Sequence, residues 1–435
     1  MVLASNFKSV DEGKINLTAN AFLPATAAIP LEEDENDYVE TFVTQGTPVT
    51  EGQVIAKTKN LYIHASIPGT VQEIYHRQYS NGKQGTAVKI ALKGEFNFTG
   101  KNMEDLPYSS MEASTLSYIL KEAGIINTFR TNKPIYEEIK KIQDKANKIL
   151  VLRLFDDDPS RLTEEFVSQN YTKKVIVGAR ICADAIGAKS IVIAQNKNKL
   201  IDISEFTEGF GSAYTLLEVQ LDSKKYPSGT MHNLVSAVKK ASKDETFKTL
   251  GKDDFFIDSI TALHVYEAVI YNKPVLNTFV HITGDCLNSA AIMNVKLGTS
   301  LKNIVEQCGG FKRKLSKIII NGIVLGRAVA SLNIPISKRI KSIEFVPVKQ
   351  VRAQFTENCM RCGNCRKICP VDLWPGNLYR VLNLSGQKND FLNTDKIAST
   401  ALLCTECGLC NSVCPSRLPL SQSISILKEM QNEQK

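Results

Sequence analysis

Eight of the chain's eleven cysteines fall between positions 359 and 414, in two runs. Cys359, Cys362, Cys365 and Cys369 precede Pro370, and Cys404, Cys407, Cys410 and Cys414 precede Pro415. Both runs spell C-x2-C-x2-C-x3-C-P. At that spacing three thiolates wrap three corners of one [4Fe–4S] cubane and the fourth ligates the neighbouring one. The pattern assigns Cys359, Cys362, Cys365 and Cys414 to one cluster, and Cys404, Cys407, Cys410 and Cys369 to the other. Gly363 and Gly408 follow the second cysteine of each run, where the backbone must turn tightly. Each proline marks a change of chain direction. Zinc is a poor alternative, because four cysteines within eleven residues, twice over, exceed what one tetrahedral ion takes. Disulfides would need a secreted chain, and Met1–Val10 lacks a charged segment followed by an apolar one. No catalytic base stands beside either run, so the chemistry implied is a one-electron relay between two close clusters. Trp374, the sole tryptophan, reads as packing that shields the first run. Cys182, Cys286 and Cys308 are scattered and read as buried core thiols.

The 435 residues are enough for two to four domains around these runs. Apolar content of 43% and charged content of 23% are ordinary for a chain with real cores. A net charge of +8 without a concentrated basic block argues against a nucleic-acid partner. It fits an acidic redox partner or an anionic membrane surface. The best candidate for a membrane span, Ile318–Ile334, is interrupted by Asn321 and Arg327, so no span of the chain's own is expected. His64, His76, His232, His264 and His281 have no metal-ligand spacing and read as core or surface residues. Lys338, Arg339 and Lys341 read as a solvated linker face.

Pattern and turn residues divide the chain into four domains, giving a multidomain α+β fold. Residues 1–100 hold short strands at Tyr38–Val43, Gln53–Lys57, Tyr62–Ser66, Thr70–Tyr75 and Ala87–Leu92, separated by turn glycines. They suggest a lipoyl-like barrel sandwich, with Ser66-Ile67-Pro68-Gly69 where a carrier protein would place its modified lysine. A swinging arm is therefore not expected. In residues 101–274, apolar runs at Lys148–Leu154, Lys174–Val177 and Ser190–Ala194 alternate with helical stretches. Those are Glu112–Gly124, Leu162–Ser168, Ala179–Ile186, Met231–Ser242 and Ser259–Asn272, and together they predict an α/β layer with a mostly parallel sheet. Residues 275–345 predict a β-grasp module, with strands at Val275–Thr283, Ile292–Val295, Lys317–Ile320 and Ile323–Leu325 and a helix at Leu301–Gln307. Residues 346–435 hold the cysteine runs and short helices, among them Arg417–Gln431.

This order of domains resembles the C subunit of the Rnf electron-transport complex. Related proteins are the proline-reductase-associated electron-transfer protein and the cobalamin reductase of propanediol microcompartments. The resemblance spans nearly the whole chain. It rests on the runs NCMRCGNCRKICPVDLWPGNL and CTECGLCNSVCPSRLPLSQSI, and on VTEGQVIA, HASIPGTV, KYPSGTMHNL, TALHVYEAVIYNKPVLN and HITGD…LGTSLKNIVEQCGG. It implies that residues 101–274 resemble the flavin-binding subunit of respiratory complex I, with NADH feeding FMN and FMN feeding the clusters.

In that family a glycine-rich loop of the form G-x-G-G-A-G-F-P cradles the phosphate, since only a bare backbone can approach so closely. Here Ala123-Gly124-Ile125-Ile126 is kept, but the loop continues Asn127-Thr128-Phe129-Arg130-Thr131-Asn132-Lys133-Pro134 without a glycine. Arg130 and Lys133 read as a solvated basic turn. The acidic stretch expected near the flavin becomes Phe155-Asp156-Asp157-Asp158-Pro159. The resemblance thus implies two [4Fe–4S] clusters and allows FMN, while the loop argues that the FMN/NADH site is lost or altered. The implied role is a peripheral redox subunit on the cytoplasmic face of the cell membrane. Its partners would be integral and peripheral subunits and a soluble carrier such as ferredoxin, flavodoxin or NADH. The alternatives are a soluble protein feeding a dedicated reductase of the proline-reductase type, an NADH dehydrogenase with an atypical flavin loop, and a partner-binding scaffold.

Overall fold

A computed structural model describes residues 15–31, 38–79, 84–129, 132–348, 356–384 and 396–433. The chain divides into two compact units, Met1–Val348 and Lys349–Lys435. Among the described residues no helix is long and apolar enough to cross a membrane.

The larger unit begins with two small antiparallel sheets. One has the order Thr26–Pro30, Gln84–Leu92, Gly69–Gln78, Pro48–Val49, and the other Glu40–Thr41, Val54–Lys57, Tyr62–His64. Ala27, Ile29, Ile55, Ile63, Val71, Val88 and Ile90 fill the space they enclose. Thr26–Pro30 was not expected, because its short apolar run carries no alternation. Ser66–Gly69, expected as a hairpin, is a buried connection between the two sheets, and the Ser66 hydroxyl donates to the Leu297 carbonyl at 2.6 Å. A Cβ at Gly69 would overlap the Ala91 carbonyl oxygen.

The α/β layer is a four-stranded parallel sheet in the order Thr215–Leu221, Ser190–Asn196, Ile149–Arg153, Phe255–Asp258. Its helices include Ala113–Glu122, Thr163–Asn170, Met231–Ala241 and Ser259–Ile270, near the expected positions. Lys174–Val177, expected as a strand, lies inside one long helix, Thr172–Ile186. That helix packs so closely on Ser259–Ile270 that a Cβ at Gly178 would overlap the Ala262 carbonyl oxygen. Burial on several sides removes the amphipathic period and leaves an apolar run that mimics a strand.

The six-stranded mixed sheet has the order Ile15–Asn20, Ala290–Lys296, Asn277–Thr283, Ser342–Pro347, Leu315–Ile320, Arg327–Val329. Its helix, Leu301–Gln307, is capped by the Ser300 hydroxyl, which accepts from the Asn303 amide. Ile15–Asn20, grouped by sequence with residues 1–100, instead pairs in parallel with Ala290–Lys296. Ile323–Leu325 is not a strand. It is a turn whose amides are held by a carboxylate from the α/β layer.

Among its described residues the smaller unit is helical: Asn364–Ile368, Pro375–Leu384, Leu409–Ser412 and Leu420–Glu433, with a 3-10 turn at Thr400–Leu403. Leu378, Val381, Ala398, Ala401, Ile424 and Leu427 form its core.

Candidate iron–sulfur centre

The two cysteine runs are offset by 45 positions, and the backbone repeats with them. Arg361 and Glu406 have φ of +53° and +59°, Gly363 and Gly408 +76° and +69°, and Asp372 and Arg417 +52° and +54°. Each glycine starts a short helix, Asn364–Ile368 or Leu409–Ser412, and each left-handed residue tightens the curl around the thiols. The curl aims amides at sulfur. Leu373 N–H donates to Cys369 Sγ and Glu406 N–H to Cys404 Sγ, both at 3.3 Å. Gly376 lies against the first run, where an added Cβ would stand 3.5 Å from Cys365 Sγ and 3.9 Å from Cys359 Sγ.

The eight cysteines come together in two sets. Cys359, Cys362, Cys365 and Cys414 line one cavity of about 260 Å3, together with Met360, Arg361, Trp374 and Arg380. Cys369, Cys404, Cys407 and Cys410 line a tighter one of about 20 Å3, among apolar neighbours such as Val371, Leu373 and Ile424. Each set takes its fourth cysteine from the other run. Trp374 stands at the first cavity, but half of it is exposed, so it does not seal that cavity from water.

Burial raises the thiols of Cys365, Cys404 and Cys407, and pushes that of Cys410 up to about 12, with the neighbouring thiols adding to the effect. Ionising such sulfurs is costly unless positive charge lies against them, which iron supplies. Among the described residues no three His, Cys, Asp or Glu side chains converge to hold a single metal ion. A cubane asks for something else, because each thiolate binds its own iron corner. The donor set fits [4Fe–4S] clusters, which supply one-electron storage and release. Cys182, Cys286 and Cys308 are buried elsewhere, as expected. His64, His264 and His281 are buried, and burial drives all three well below the usual imidazole range.

A second place invites a ligand. In open parallel sheets, ligands bind beyond the carboxyl ends of the strands. Here Arg153 ends one strand and Asp258 the adjacent one, and both are buried. The Arg153 guanidinium grips the Glu164 carboxylate with two bonds of 2.9 and 2.8 Å, donates to the Gly229 carbonyl at 2.8 Å, and lies 3.2 Å from Asp157. It sits over the Phe129 ring, 4.3 Å from the centroid. Lys341 bridges Glu164 at 2.7 Å and Asp258 at 2.6 Å. Arg161 pairs with Asp157 and lies 3.4 Å from Asp156.

The loop expected to cradle a phosphate turns inward onto this cluster. The Thr128 hydroxyl donates to Asp258 at 2.8 Å, and the Asn127 side-chain amide donates to the Phe256 carbonyl at 2.7 Å. Arg130 and Thr131 lie outside the described residues. Lys133 stands 3.9 Å from Glu137 at the surface. Asp158 accepts from the amides of Ser160, Val324 and Leu325, and a Cβ at Gly322 would overlap its carboxylate.

Five carboxyls thus face three cations. Burial opposes ionisation of Asp258 and Asp157, but Lys341 and Arg153 hold the first well below the usual carboxylate range, and Arg153 and Arg161 take the second down to about 2. Asp156 goes the other way, pushed up to about 7 by burial and by the Glu164 charge. FMN would need a slot for its ring system and donors for a doubly charged phosphate. The crevice offers an excess of carboxyls, and its cations are already engaged by them, so the residues present do not fit it. Lys338 and Lys341, expected on a solvated face, are buried: Lys338 donates to the Gly124 carbonyl at 2.6 Å, and Lys341 bridges the two acids. The sequence reading missed Arg153, Glu164 and Asp258. The signal available for Asp258 was its place as the N-cap of Ser259–Ile270, where it accepts from the Thr261 amide at 2.7 Å.

Three family models match parts of the chain. Residues 11–95 match the RnfC barrel sandwich hybrid domain, residues 120–254 the Nuo51 FMN-binding domain, and residues 354–418 a 4Fe-4S dicluster domain. The C subunit of the Na(+)-translocating ferredoxin:NAD(+) oxidoreductase complex of Acetobacterium woodii is 24% identical, over 82% of this chain and 81% of its own. The C subunit of the proton-translocating ferredoxin:NAD(+) oxidoreductase complex of Clostridium ljungdahlii is 26% identical over 84% and 80%. The C subunit of the ion-translocating oxidoreductase complex of Methanosarcina acetivorans is 27% identical over 83% of each chain. An NAD+-reducing [NiFe]-hydrogenase structure in the H2-reduced state superposes with a TM-score of 0.50 at 12% identity. That match covers 74% of this chain but 62% of the other, less than two thirds of its length, and it speaks for the fold alone.

Proposed function

We propose that the chain, similar over more than four fifths of its length to C subunits of Rnf-type complexes, is a peripheral iron–sulfur relay subunit of such an ion-translocating complex. Its cofactors are two [4Fe–4S] clusters. The observation that carries the reading is the gathering of eight thiols into two cavities of four, each drawing one cysteine from the other run. In this proposal Cys359, Cys362, Cys365 and Cys414 hold one cluster and Cys404, Cys407, Cys410 and Cys369 the other. The chain works without flavin, because residues 127–134 hold no glycine to cradle a phosphate and the arginines at the strand ends are already engaged by the chain's own carboxylates. It sits on the cytoplasmic face of the membrane, held by other subunits and exchanging electrons with a soluble carrier. The division into residues 1–100, 101–274, 275–345 and 346–435 belongs to the same proposal, with the Ile15–Asn20 strand lent to the third part.

Anaerobic reconstitution is expected to load about eight irons per chain, with paramagnetic resonance signals on reduction by dithionite. Cross-ligation makes a sharper demand. Cys369→Ala with Cys407→Ala should damage one cluster, whereas Cys369→Ala with Cys362→Ala should damage both. The reverse pattern would sink the ligand assignment, and a wild-type chain that takes up zinc but no iron would sink the relay.

A further inference from the structure

The two cysteine repeats share a backbone but not a surface. At matched positions Arg361 answers to Glu406, Arg366 to Asn411 and Lys367 to Ser412. Glu406 is neutralised locally by an ion pair with Lys428. Arg361 and Arg380 line the first cavity, and among the described residues neither has a carboxylate partner, whereas no charged side chain lines the second. Arg366 lies over the Trp374 ring, 5.1 Å from its centroid, and 3.6 Å from the exposed Asp372. Met360 is 63% exposed, Trp374 is 51% exposed and Cys362 is exposed, while Cys407 and Cys410 are buried. Two large apolar side chains therefore stand in water beside the accessible edge of one redox site, rimmed by arginines.

We propose that this face, built from Met360, Arg361, Arg366, Trp374 and Arg380 around Cys362, is the docking surface for an acidic one-electron carrier protein. The apolar centre supplies contact that is released easily, and the cationic rim speeds and orients encounter with a negatively charged partner. A small patch suits a transient redox encounter better than a permanent assembly interface. In the docked pair one electron leaves the carrier and one enters the protein, or the reverse, with no bond made or broken. The second repeat, with its charges paired or absent and Cys407 and Cys410 buried, is the inward end of the relay. This inference rests on the relay reading and adds a polarity to it.

The test measures affinity of the full, cluster-loaded chain for a ferredoxin of strongly negative net charge, by titration calorimetry at low and physiological ionic strength. Salt should weaken binding by wild type. The double variant Arg361→Glu/Arg380→Glu should bind about 10-fold or more weakly at low salt and lose most of its salt dependence. A double reversal elsewhere, Lys239→Glu/Lys240→Glu, applies the same charge change to exposed residues of the Met231–Ala241 helix and should shift affinity less than about twofold. If the reversal lowers iron content, Arg361→Gln/Arg380→Gln with Trp374→Ala takes its place, with the same loss expected. Unchanged affinity in a variant with intact clusters would overturn the proposal. So would equal binding of a basic carrier protein, or binding to phosphatidylserine vesicles in place of the ferredoxin. A wild-type chain without iron would instead overturn the relay reading, so the two failures are distinguishable.

Discussion

The cysteine unit and the α/β crevice are both places where a family would hold a redox cofactor, and they have fared differently. In the first, residue types, spacing and backbone agree: eight thiols, six left-handed residues at matched positions, and two cavities. In the second, the parallel sheet and its helices persist, but the space beyond the strand ends holds the chain's own side chains. The contrast separates what a fold requires from what a site requires. A sheet of buried strands is kept by packing and survives loss of its ligand, whereas a phosphate loop is kept only by what it binds. Once the glycines are gone, the emptied crevice must be closed, because voids and unpaired polar groups both destabilise.

The largest effects should come from breaking the charges that close the crevice. Arg153→Ala leaves Asp157 and Glu164 short of a cation in a buried site, a loss on the order of 3–5 kcal/mol. Urea unfolding at neutral pH should show it as a drop in midpoint without a change of slope. Glu164→Gln, which removes the carboxylate that Arg153 and Lys341 share and leaves them Asp157 and Asp258 alone, should cost a similar amount. A variant as stable as the parent would mean that the crevice is not held by its charges, and the contrast with the cysteine unit would lose its basis.

The next effect is a pH dependence from Asp156, isolated by comparing wild type with Asp156→Asn. In the folded chain Asp156 releases its proton near pH 7, whereas an unfolded aspartate does so near 3.8. Between those values the folded state binds the proton and the unfolded state has lost it, so raising the pH favours unfolding. The contribution is full below about pH 4, falls through that window, and is gone above about pH 7, by roughly 4 kcal/mol in all. The stability of wild type relative to Asp156→Asn should therefore decline with rising pH across that window and then level off. A flat difference would show that Asp156 ionises normally.

How much of this was legible in the sequence depended on how local the cause was. The gathering of the cysteines was legible because each run packs its spacing into eleven residues, and Gly363 and Gly408 announced the turns. The strands Ile149–Arg153 and Ser190–Asn196 were legible from their apolar runs. The Lys174–Val177 run was not, since a helix buried on several sides loses its period. Thr215–Leu221, at the sheet edge, was missed because its residues are mostly half-exposed and mixed in character. The crevice lay furthest from view. Its closing pair, Lys341 and Glu164, is separated by 177 positions, and Lys341 sits in a basic stretch that looks solvated when read alone. The absence of glycine from residues 127–134 pointed to an altered phosphate loop; it could not show which side chains stand beyond the strand ends.

The smallest expected effect is the one that defines the contrast: adding FMN to the cluster-loaded chain should change nothing. Flavin fluorescence should stay unquenched, the melting temperature should not move, and NADH should not bleach the iron–sulfur absorbance. The reason is energetic as well as steric. A ring entering between Arg153 and Phe129 would pull the arginine from Glu164, which forfeits the same 3–5 kcal/mol, on that order, as deleting it. Each 1.4 kcal/mol is a factor of ten in affinity, so a micromolar site would weaken about 100- to 3,000-fold, before any repulsion between phosphate and carboxyls is counted. Arg153→Ala lifts the steric block but leaves the carboxyls, so it should not restore binding either. Stoichiometric quenching by wild type would mean that the arginine moves aside for a ligand, and the crevice would then be a closed gate rather than a filled one.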